Sequence, residues 1–198
     1  AKIWGYFVPN PPSRARLAVL TRNYLAGGRN LGVLVKTILR SPELYSRLDQ
    51  PDFVKPPVVH LVGALRAVKA PYLQGSFRWQ LDQMGQMPFF PHSVGGWDQN
   101  EAWLSTGSLK ARFEAMGSVL QTRQIAEGSV PVTETAQRAL LLARTQVGAP
   151  WESPTTRAQL NKAANRYRAQ WNGDKHFATE RRLVLRHLLL AGPDAAMH

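Results

Sequence analysis

From Ser13 to Ala191 the apolar residues recur at spacings of three and four, interrupted by proline, glycine and capping side chains, and no run alternates apolar with polar residues at period two. A chain patterned this way can bury its apolar surface only as packed helices. Ser13 caps a helix with the stripe Leu17, Leu20 and Tyr24, stopped by Gly27 and Gly28. Asn30 caps the next, whose stripe Leu31, Leu34, Val35, Ile38 and Leu39 fits the helical period completely, and Ser41 before Pro42 ends it ahead of a short turn through Leu44 and Tyr45. Pro56 and Pro57 suit a first helical turn, where a missing amide hydrogen costs nothing, and Val58, Leu61, Val62 and Leu65 follow as the stripe.

Phe77, Leu81 and Met84 mark a short helix, and a long one starts at Ser105 or Thr106 with Leu109, Phe113, Met116 and Leu120 on its inner side. Thr133 is the expected cap of a helix carrying Ala136, Leu140, Ala143 and Val147. Ser153 and Pro154 open another, continued by Leu160, Ala164, Tyr167 and Trp171, and the last runs from about Phe177 to Ala191, stopped by Gly192 and Pro193. The expected fold is all-α: a multi-helix orthogonal bundle without significant β-sheet, with a main bundle over residues 1–127 and a C-terminal helical subdomain over 130–198 packed on it. The opening residues Ala1 to Phe7 read as the end of a helix already in progress, so the chain is expected to be part of something longer.

Composition narrows the chemistry. The absence of cysteine removes disulfides, thiol nucleophiles and thiolate-ligated zinc, while leaving the compartment open. No run of about 18 apolar residues is present to span a membrane. The formal charge of +12 invites a nucleic acid or other anionic partner. It is uneven: residues 1–50 net +6, 51–120 net +1, and 121–198 net +5. Arg157, Lys162, Arg166, Arg168, Lys175, Arg181, Arg182 and Arg186 interleave with Tyr167 and Trp171, as a surface that tracks phosphates and stacks bases would. Those aromatics also lie on the apolar stripe, which makes them core and the cations a solvated face, and nucleic-acid binding is therefore the minor reading. Five scattered histidines offer no paired metal-binding motif, and His176 with Glu180 reads as a surface pair. No phosphate-cradling loop, nucleophile elbow or carboxylate pair is legible, so no catalytic residue, metal or cofactor is expected.

The irregular stretch Pro88 to Trp103 is the best functional candidate. Its prolines, adjacent glycines and aromatics show no helical period, and a long irregular loop costs ordering entropy. Phe89, Phe90, Trp97 and Trp103 are expected to anchor it to the bundle, and Gly95 and Gly96 to permit positive φ. His92, Ser93, Gly96, Trp97, Asp98, Asn100 and Trp103 then form a candidate surface for a small ligand or a peptide. The competing reading, heavier on composition alone, is a loop pinned by its own aromatics merely to cap the core. Lys55, Arg166 and Arg168 are the candidate anion-binding cations.

The stretch FFPHSVGGWDQNEAWLSTGSLKARF resembles the signature of the bacterial family called domain of unknown function 1800. KIWGYFVPNPP, and LGVLVKTILRSPELYS leading to FVKPPVVHLVGALRA, match the same family in the same order. The resemblance is good over roughly residues 1–115, with Val94, Gly96, Trp97, Trp103 and the start Lys55, Pro56, Pro57 at matching positions. Ser93 stands where Asn is usual and Gly95 where Lys is usual. The resemblance implies a bacterial helical protein, cytoplasmic or exported to the envelope, with no established activity. It also implies a protein partner, a sulfatase-like member of domain of unknown function 1501, or an N-terminal part of the same protein. The reading favoured is a non-enzymatic binding or assembly module that uses loop 88–103. The alternatives are part of an enzyme whose active site lies mainly upstream, with His92 or Asp98 contributing, and a nucleic-acid-binding protein using its basic C-terminal helices.

Overall fold

The computed structural model describes residues 1–46, 49–70, 77–122, 125, 130–131, 133–169 and 175–198, with backbone alone at 167–169 and 175–177. The described residues form helices and 3-10 turns, and no strand; the only ladder contacts among them are isolated bridges at Val54 with Met197 and Ser93 with Gly96. The chain divides into two units, Ala1–Phe53 and Val54–His198. The sequence-derived join at 127–130 falls inside the second unit, and residues 127–129 of it lie outside the described residues.

In the first unit a 3-10 turn at Trp4–Tyr6 leads to α1 (Arg14–Ala26), α2 (Leu31–Leu39) and the single turn α3 (Pro42–Tyr45). The expected caps do their work: Ser13 Oγ accepts the Arg16 amide at 3.1 Å and Asn30 Oδ1 accepts the Gly32 amide at 2.7 Å. Gly28, with φ +66, ends α1 in a Schellman motif: the Arg29 amide reaches Tyr24 O and the Gly28 amide reaches Leu25 O. The core is small, made of Trp4, Val8, Leu20 and Ile38. The stripes predicted to be buried are only partly so, because Leu17, Leu31 and Leu39 are exposed.

The second unit contains α4 (Pro57–Ala67), α5 (Arg78–Gln83), α6 (Thr106–Thr122), α7 (Ala136–Gln146), α8 (Pro154–Ala169) and α9 (Lys175–Ala191), closed by a 3-10 turn at Pro193–Ala196. Helix α9 is the hub, packing on α6, α7, α8 and that turn, while α4 and α5 pack on α6. Ala136, Leu140, Ala143 and Val147 are all buried as their spacing demands. The cap of α7 is Thr135, whose hydroxyl accepts the Arg138 amide at 3.1 Å, and not Thr133. The face of α6 also differs from expectation. Leu109 and Phe113 are exposed, and the inward row is Ser108, Ala111, Arg112, Ala115, Met116 and Val119. Small residues there let α4, α5 and α9 approach closely, and the one long polar side chain among them finds partners.

Three arginines of α9 are also inside. Arg181 and Arg182 both meet the carboxylate of buried Glu134, Arg181 through a 3.0 Å bond and Arg182 through its Nε and NH2 groups. Arg181 additionally donates to the Glu134 carbonyl at 3.0 Å, and Arg186 donates to Gln146 Oε1 at 2.8 Å. Nearer the surface, Arg144 grips Glu152 with two bonds of 2.6 and 2.7 Å. Removing one partner from a buried ion pair strands the other charge without water. Glu134→Gln is therefore expected to cost about 3–5 kcal/mol in denaturant unfolding. Glu114→Gln, which breaks only the exposed pair with Lys110, is expected to cost less than about 1 kcal/mol.

Candidate functional site

The loop begins where α5 ends. Gly85 has φ +86 and closes α5 in a second Schellman motif, its amide on Asp82 O and the Gln86 amide on Leu81 O. The positive φ is what calls for glycine at this position, since a Cβ there would meet the His92 and Trp103 rings only at ordinary contact distances of 3.6 and 3.7 Å. His92 donates from Nε2 to Gly85 O at 2.7 Å, so this candidate serves as a brace across the loop entrance. Ser93 turns the chain: its carbonyl accepts the Gly96 amide at 3.0 Å and its hydroxyl accepts the Gly95 amide at 3.1 Å. Gly96, not Gly95, takes positive φ, at +93. Val94 stands fully exposed at the apex.

The far end of the loop is pinned. Trp103 is buried, and its carbonyl accepts the Ser108 hydroxyl at 2.7 Å. Asn100, in the left-handed region at φ 51, accepts the Val54 amide on its side-chain oxygen at 2.9 Å. Gln86 does the same for the Val58 amide at 2.9 Å, so one residue at the loop's end and one just before its start supply acceptors to the first turn of α4 and the segment leading into it. Trp97 is half-buried, and its indole N–H is enclosed without an acceptor among the described residues. Asp98 is exposed.

Two of the four expected aromatic anchors do not anchor. Phe89 is 91% exposed and Phe90 70% exposed. Phe89 also has φ 69, a left-handed conformation that is costly for a residue with a bulky side chain. The physical reason is the turn after Met87, where the Phe90 amide bonds Met87 O at 3.1 Å and aims both rings outward. Thus the loop has a braced polar base and an apolar, strained tip.

Beneath that base lies a cluster that sequence reasoning missed. Arg112 is 2% exposed and meets no carboxylate among the described residues. Its NH2 donates to Lys55 O at 2.8 Å and its NH1 lies 3.0 Å from His60 Nδ1. A guanidinium can only donate, so Nδ1 is the acceptor and the His60 proton sits on Nε2, which donates to Leu190 O at 3.0 Å. Lys55 places its ammonium 2.9 Å from Ala195 O, and its amide bonds Ala196 O at 2.7 Å. The candidate anion-binding lysine is thereby held against the carbonyl end of the chain. Arg166 is exposed on α8, and no hydrogen bond or ion pair among the described residues joins it to Lys55. The side chain of Arg168, and Trp171, lie outside the described residues, as does the His176 side chain. Arg181, Arg182 and Arg186 are turned to internal partners, which takes three cations from the basic surface expected of the C-terminal helices. A signal for Arg112 exists in the spacing, since it lies four and eight residues before Met116 and Leu120, but its charge argues for the outside.

Burial pushes His60 down to about 4, with the nearby Arg112 and Lys55 charges acting the same way against the opposing Leu190 carbonyl. Burial likewise lowers Lys55, helped by Arg112, and brings Arg112 down to about 10. His60 is neutral in the folded protein while the unfolded chain binds a proton below its ordinary value of 6.5. Stability from this site is therefore complete above that value and is lost as pH falls toward 4, by a few kcal/mol in all. Unfolding free energy measured from pH 7 to 4 is expected to fall more steeply in the wild type than in His60→Asn.

No curated protein and no solved structure matches the chain. The model of the family described as Protein of unknown function (DUF1800) matches residues 1–197, which extends well past the stretch near residue 115 where the legible motifs end. With its Trp97 and Trp103 loop, its Lys55, Pro56, Pro57 start and a match over nearly every residue, the chain belongs to the DUF1800 family of proteins of unknown function.

Proposed function

We propose that this protein is a helical binding or assembly module that engages a protein partner through the tip of loop 88–103. The observation that carries the reading is the pairing of exposure with strain at Phe89. A left-handed phenylalanine costs about 1–2 kcal/mol, and in this position no burial within the chain offsets it. Phe89, Phe90 and Val94 together present an apolar projection on a backbone that His92, Asn100 and Trp103 hold in place. Aromatic anchors on a rigid support lose little entropy on docking and dominate binding energy when seated in a partner's pocket. Asp98 and Glu101 set exposed negative charges toward the end of the loop. The sulfatase-like partner implied by the resemblance is the first candidate for this role.

Two variants separate recognition from folding. Phe89→Gly relieves the backbone and is expected to raise stability by about 0.5–1 kcal/mol in thermal unfolding. Phe89→Ser with Phe90→Ser is expected to weaken binding to a purified sulfatase-like partner about hundredfold by calorimetry, with the fold intact by circular dichroism. Unchanged affinity in that folded double variant overturns the assignment of the tip.

A further inference from the structure

The first unit leaves apolar surface of its two long helices uncovered. Leu17, Leu20 and Tyr24 recur along α1 at the spacing of a buried stripe, as do Leu31, Leu34 and Ile38 along α2. Yet only Leu20 and Ile38 of these are buried, while Leu25 and Leu31 are 54% and 56% exposed. Between the two helices lies a hollow of about 330 Å³ walled by Trp4, Leu17, Leu20, Tyr24, Leu31 and Leu34. A shallower groove shares Leu17 and Thr21 with it and continues along α1 to Leu25. The space between two packed helices is where a bundle seats a third, with side chains at i, i+3, i+4 and i+7 as anchors.

The rim of this trough has one sign. Lys2 borders the hollow, Arg14 and Arg22 border its extension, and no acidic residue among the described residues lines either. Glu43, the acid nearest in sequence to these helices, is already bound by Arg16 at 2.8 Å. A flat lipid surface has nothing to place in a hollow between helices, whereas a helix with apolar anchors and acidic flanks fills it and meets the rim. We propose that the face of α1 and α2 receives an amphipathic helix with acidic flanks from a partner protein. This surface is separate from loop 88–103, and the proposal does not rest on the role assigned to that loop.

The test uses the full chain and a labelled designed peptide of about 16 residues, long enough for four helical turns, with leucines at i, i+3, i+4 and i+7 and glutamates between them. Fluorescence anisotropy is expected to show binding that weakens with salt, and Arg14→Glu with Arg22→Glu is expected to reduce it about tenfold or more. Leu17→Asp, at a position already exposed, is expected to do the same without unfolding the unit. Arg157→Glu with Lys162→Glu on α8 keeps the net charge change equal and is expected to leave binding unchanged. Equal losses from both charge pairs mean diffuse attraction to a basic protein and overturn the proposal. So do equal binding of a lysine-flanked or composition-matched scrambled peptide, absence of peptide binding, and binding to anionic phosphatidylserine vesicles alone.

Discussion

The burial of Arg181 and Arg182 against Glu134 is the constraint around which the second unit is arranged. Neither guanidinium could enter the core without an acceptor, and Glu134 lies just before the cap of α7, so the contact ties the start of α7 to α9. With α9 set in this way its last turn brings Leu190 O to His60, and the turn beyond it brings the carbonyls of Ala195 and Ala196 to Lys55. Arg112 then closes the arrangement from α6 by reaching both His60 and the Lys55 carbonyl. The segment from Val54 into the first turn of α4 is held by all of these, and its Val54 and Val58 amides in turn hold Asn100 and Gln86. A loop whose base is over-determined to this degree can keep a strained residue at its tip.

Basic charge consequently has two different fates in this chain. Arg112, Arg181, Arg182 and Arg186 are structural cations, buried where carbonyls, an imidazole, an amide and a carboxylate receive them. Their burial lowers the positive surface that the formal +12 suggests. In the first unit the cations Lys2, Arg14 and Arg22 instead border an open apolar trough. The same residue type therefore braces one unit and rims a surface on the other.

Helix boundaries were largely legible because the signals are local. Ser13, Asn30, Ser153 and the Gly28 stop act through hydrogen bonds to residues two to five positions away, whatever the rest of the chain does. Helix faces were less so. On α6 the inward row contains Ser108, Ala111 and Arg112, while Leu109 and Phe113 look out, with His187 stacked on Phe113 at a centroid distance of 4.2 Å. Close helix approach selected small side chains over large ones there. On α4 the inward positions include His60, which no apolar stripe would nominate.

Candidate residues followed the same division. That Pro88 to Trp103 is irregular and turns at its adjacent glycines follows from its prolines, its glycines and the lack of a helical period. Which aromatics face inward depended on the turn at Phe89 and on the brace from His92 to Gly85, contacts that join positions the periodicity does not relate. The sequence by itself determined an all-α chain, most of its helix ends and the place of its irregular loop, because these depend on local sterics and capping. Only the tertiary structure decided which cations are buried, which aromatics are exposed and where Arg112 meets His60 and Lys55, because burial of charge is settled by partners brought from other helices.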